Sequence, residues 1–88
     1  MKQIKLSGRE MAILRAIDYA VGSLGHELRD RTHIEPSDVA DILNGLCDIG
    51  YVEVVPDCKL VTIENYAASR FEVNPSYWQQ LKEAMRRR

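Results

Sequence analysis

The sequence predicts one α+β domain: a three-helix core, a two-stranded β-hairpin and a further C-terminal helix. Three observations carry that expectation. Apolar residues recur at helical spacing in two stretches, 13–24 and 39–49. A β-branched and aromatic run, Tyr51-Val52-Glu53-Val54-Val55, follows the second stretch with only Gly50 between them. A turn with Pro56 and a second apolar run from Leu60 to Ile63 then supply a return strand. The 88 residues make a single domain, 1–88, with its core at 8–73 and the last helix at 75–86.

The first helix is expected to start at Ser7. Ser7-Gly8-Arg9-Glu10 fits the capping box, in which the serine hydroxyl and the glutamate carboxylate satisfy each other's free backbone N–H groups. Ile13, Leu14, Ile17, Ala20, Val21 and Leu24 fall within an arc of about 120° and form its buried stripe. Gly22 and Gly25 end or bend it. His26 to Arg31 reads as a short second helix anchored by Leu28, with Ile34 packing after it.

Pro36 opens the third helix. A proline disfavours helical geometry at the preceding residue, so Glu35 lies outside, and the missing N–H costs nothing at the first helical position. Thr32-x-x-Glu35 is therefore not a capping box. Val39, Ile42, Leu43, Leu46 and Ile49 form the buried stripe, and Gly50 closes the helix. The opposite arc carries Ser37, Asp38, Asp41, Asn44, Gly45 and Asp48. Tyr51–Val55 and Leu60–Ile63 are the two expected strands, joined by a turn at Pro56-Asp57-Cys58-Lys59. Residues 64–73 stay open between a helical turn capped by Asn65 and an extended Phe71-Glu72-Val73. Asn74-Pro75 then caps and starts the last helix, with Trp78, Leu81 and Met85 on one face.

Composition narrows the function classes. No run approaches the ~20 apolar residues of a membrane span, and no secretory h-region follows Met1-Lys2-Gln3-Ile4-Lys5, so a cytoplasmic protein is expected. Cys47 and Cys58 are too few for a disulfide scaffold, and His26 and His33 have no ligand-like spacing to either. No glycine-rich phosphate loop and no nucleophile–base pair stands out, so neither enzymatic activity nor a metal or other cofactor is expected. The net charge of −1 hides an uneven distribution. Residues 32–58 contain Glu35, Asp38, Asp41, Asp48, Glu53 and Asp57 and no Lys or Arg, while the rest of the chain is net basic.

The third helix running through Leu46-x-x-x-Gly50-Tyr51-Val52-Glu53 resembles the last helix and first wing strand of a winged helix-turn-helix domain. The resemblance covers roughly residues 8–73 and implies a winged-helix fold and a DNA-binding transcription regulator. It implies that the third helix enters the major groove and reads base edges with Ser37, Asp38, Asp41 and Asn44. Phosphate contacts need cations, and Arg29, Arg31, Lys59, Arg70 and the terminal arginines are the candidates. Three aspartates facing a polyanion oppose that role. The alternative is a winged-helix module without DNA binding, which docks a protein partner on the acidic third helix. Trp78, Leu81 and Met85 are expected to pack the last helix onto its own domain, with a homodimer seam as the second reading. Arg86 to Arg88 read as a solvated tail that complements the helix dipole.

Overall fold

The computed structural model describes residues 4–55 and 60–86. Helix α1 spans Gly8–Ala16, strand β1 Ser23–Leu24, helix α2 Gly25–Thr32, helix α3 Pro36–Ile49 and strand β2 Val52–Val55. A 3-10 turn at Tyr66–Ala68, strand β3 at Arg70–Val73, a second 3-10 turn at Pro75–Tyr77 and helix α4 at Trp78–Arg86 complete the chain. The three strands form one antiparallel sheet in the order β1-β3-β2. Among the described residues, no helix is long and apolar enough to cross a membrane.

The local start and stop signals act as expected. Ser7 Oγ accepts from Glu10 N at 3.1 Å, and Glu10 Oε1 accepts from Ser7 N at 2.8 Å. Pro36 opens α3, Glu35 stays outside it, and Gly50 closes it with φ 101. Asn74 Oδ1 accepts from Ser76 N at 3.0 Å, so Asn74-Pro75 caps the 3-10 turn that leads into α4. Ile13, Leu14, Leu28, Leu43, Leu46, Phe71 and Leu81 are fully enclosed and join the helices to one face of the sheet.

Three expectations need correction. The first helix ends at Ala16 rather than running on to Leu24. The Asp18 carboxylate accepts from Ala20 N at 2.8 Å and Val21 N at 3.3 Å, a local alternative to helical hydrogen bonding. Ser23 Oγ accepts from Asp18 N, and Gly22 turns the chain with φ 79. Val21 is left exposed, and Leu24 joins a third strand in place of the helix.

The buried arc of α3 is also rotated. Taking about 100° per residue, the enclosed residues Leu46, Val39, Leu43 and Ala40 lie on one side of the expected stripe. Ile42 sits at its margin, half-buried, and Ile49 lies beyond it in solvent, while Ala40 is buried in their place.

The strand that pairs with β2 is β3, and not the expected Leu60–Ile63. Asn65 prevents that return. Its Oδ1 accepts from Thr62 N at 2.8 Å, its own N–H donates to Thr62 Oγ1 at 3.2 Å, and its Nδ2 donates to Leu60 O at 2.9 Å. These bonds close a turn where a strand would need an open backbone. The sheet therefore has three strands where two were expected, and of the open region, Tyr66–Ala68 is the helical turn and Phe71–Val73 is extended. The expected turn at Pro56–Lys59 lies outside the described residues.

Helix α4 packs onto its own domain, as expected. Leu81 and Met85 are closed within the domain's own core, and Trp78 Nε1 donates to Val73 O at 2.8 Å. Arg15 ties down the same helix, donating to Met85 O at 2.9 Å. Tyr19 lies edge-on to Trp78 with ring centroids 5.7 Å apart, and burial pushes its phenol pKa up.

Candidate functional site: the outer face of the third helix

Helix α3 presents Ser37, Asp38, Asp41, Asn44, Gly45 and Asp48 away from the core. This face abuts the N-terminal end of α1, where Arg9 Nη1 lies 2.8 Å from Asp38 Oδ2. Both partners are well solvated, so the pair contributes at most about 1 kcal/mol, but it offsets one carboxylate. Asp41 and Asp48 have no ion pair among the described residues. Asn44 is only partly available, because its Oδ1 accepts from Val61 N at 3.4 Å and tethers the chain entering the 3-10 turn.

Of the expected phosphate contacts, Arg31 and Arg70 bind carbonyl oxygens at and beyond the end of α1, while Arg29 borders the start of α3 beside Glu35 and Pro36. Arg31 donates to Ala16 O at 2.6 Å and to Ser23 Oγ at 3.2 Å. It caps the C-terminal end of α1, about 10 Å along the helix from Arg9 at 1.5 Å per residue. Arg70 donates to Val21 O at 3.1 Å, in the segment that Arg31 also holds. Arg29 pairs with its neighbour Asp30 at 2.7 Å. Two residues apart on one helix are about 200° apart, so Arg29 and Arg31 leave α2 on opposite sides. Lys59 lies outside the described residues.

Arg9 is the cation that sequence reasoning missed. It sits 29 positions from Asp38, and no local pattern announces the pairing. No group of three His, Cys, Asp or Glu side chains able to hold a metal occurs among the described residues.

Gly45 lies in the interior of α3 with open space where a Cβ would stand. Gly45→Ala is therefore expected to stabilise the domain by roughly 0.5–1 kcal/mol. A urea midpoint equal to or below that of the wild type would contradict this placement of the helix face.

No protein-family model matches the sequence, and no curated protein matches it at a significant level. Among solved structures, the chain is similar to the multiple antibiotic-resistance repressor (MarR) from Listeria monocytogenes 4b F2365, with a TM-score of 0.69. The fold is a winged helix. The two sequences are 18% identical, and the match covers 92% of this chain and 52% of the repressor. The chain thus spans about half the length of that protein, and the likeness is one of fold. In winged-helix terms, α2 and α3 are the helix-turn-helix pair, and β2 and β3 are the strands at the base of the wing.

Proposed function

We propose that this chain is a winged-helix regulatory module whose outer α3 face docks a basic protein partner and does not read duplex DNA. One observation carries the reading. Among the described residues, Asp41 and Asp48 have no ion pair on α3, while Arg31 and Arg70 are engaged at the far end of α1 and in the turn beyond it. A polyanion is held chiefly by cations that replace its counterions, and among the described residues the cation paired on this face is Arg9, beside Asp38. A regulatory setting is supported by the fold shared with a repressor. A cytoplasmic location agrees with it.

The second reading is direct DNA binding, and the repressor neighbour favours it. Ser37, Asp38, Asp41 and Asn44 would then face base edges, with Arg29, Arg31, Lys59 and Arg70 supplying phosphate contacts. The two readings respond differently to charge changes. Asp38→Asn combined with Asp41→Asn is expected to tighten weak, non-specific duplex binding, measured by fluorescence anisotropy. Arg29→Ala combined with Arg31→Ala is expected to change it less, and to lower the urea midpoint because the cap on α1 is lost. A complex weakened more by the arginine pair than it is strengthened by the asparagine pair favours direct DNA binding.

A further inference from the structure

Most of the large apolar side chains are enclosed, but Val21, Ile49, Leu60 and Ile63 are not. Leu60 differs from the others in what lies beside it. It forms one wall of a groove of about 380 Å³ between the second half of α3 and strand β2. Val52 and Val54 supply its apolar floor, and Cys47 lines the α3 side. Leu60 is 67% exposed, so this wall is an apolar contact left open to water. The polar edge of the groove carries Asp48 and Glu53, neither of which has an ion pair among the described residues. Asn44 also lines it, so the groove continues the outer face of α3 without a break.

We propose that this groove seats a basic segment of a partner protein. One aliphatic side chain of that segment rests between Leu60 and Val54, and its flanking Lys or Arg residues reach Asp48 and Glu53. Charge complementarity selects this occupant. Both carboxylates border an apolar surface, where a cation on a flexible stem meets a carboxylate while its methylenes cover the apolar wall. A polyanion or an acidic peptide meets the same two charges as repulsion. The proposal rests on the reading of α3 as a protein-docking face, and it names the end of that face where the partner anchors.

The test is an NMR titration of the ¹⁵N-labelled full chain with a short acetylated peptide carrying one leucine between two pairs of lysines. Amide shifts are expected to concentrate at residues 47–54 and at Leu60, with a dissociation constant on the order of 10⁻⁴ M. Replacing the peptide leucine by serine should abolish the shifts. Asp48→Asn with Glu53→Gln should weaken binding about tenfold, as should Leu60→Ser, with urea midpoints unchanged because all three side chains are at the surface. Shifts centred on residues 37–45, sensitive to Asp41→Asn and indifferent to Leu60→Ser, overturn the groove and leave the docking role of α3 standing. Absence of peptide binding together with sub-micromolar duplex binding overturns both. Absence of either kind of binding overturns the groove. The same shifts appearing on concentration of the chain alone identify a second copy as the occupant and overturn the basic partner.

Discussion

Phe71→Ala is expected to remove most of the domain's stability. Phe71 lies on β3, the middle strand, opposite Val54 on β2 and Ser23 on β1, and its ring is fully enclosed. Deleting a buried phenylalanine costs about 3–5 kcal/mol, the lost transfer energy plus the cavity left behind. A domain of 88 residues has roughly 4–13 kcal/mol in all at the usual stability per residue. The loss is therefore comparable to the lower end of the total. Urea unfolding followed by circular dichroism should show a large fall in midpoint or no folded baseline. A midpoint equal to that of the wild type would contradict the central place of β3.

Gly25→Ala should be nearly as damaging for a different reason. A Cβ on Gly25 would overlap the carbonyl oxygen of Tyr66 and lie 2.6 Å from the carbonyl carbon. Both are backbone atoms, so no side-chain rotation relieves the clash. The Gly25 N–H donates to Ser69 O at 3.0 Å and holds the start of α2 against the turn that contains Tyr66. Separating the two segments also disturbs β1, the adjoining strand. The cost should reach or pass the upper end of the ~1–3 kcal/mol typical of overpacking. Comparison with Gly45→Ala separates sterics from helix propensity, because the same change in open space is stabilising. Equal midpoints for the two variants would contradict the close approach at Gly25.

The elements legible in the sequence are those whose signals are local. Ser7 and Glu10 cap each other three positions apart, and Pro36 and Gly50 bound α3 by their own backbone preferences. The run into β2 follows directly from that stop. What was hidden depends on side chains that compete with regular structure. Apolar residues at 20, 21 and 24 continue the stripe of α1, but the Asp18 carboxylate captures the backbone N–H groups just past the helix end. Asn65 likewise turns the chain back on Leu60 and Thr62, so the wing closes with Arg70–Val73.

The candidate site was half legible for a related reason. The acidic arc of α3 follows from helical periodicity alone. The commitments of its neighbours do not, because they join distant positions: Arg9 to Asp38, Arg31 to Ala16 and Arg70 to Val21. A count of arginines suggests phosphate contacts. Their hydrogen bonds to carbonyl oxygens give two of them a structural task instead, closing the end of α1 and the turn that follows it.

What wild-type α3 does in the presence of nucleic acid decides between a docking face and a DNA reader. Labelled duplex DNA is titrated with the full wild-type chain at low salt, and the affinity is followed as salt is raised. The expected result is no complex tighter than about 10⁻⁴ M, near the weak limit of non-specific binders. A sub-micromolar complex, with a log–log salt slope of several units and loss of binding on Asp41→Asn, would contradict the account. It would mean that a carboxylate on α3 accepts from a base edge, as one can from cytosine N4, and that the acidic face reads DNA.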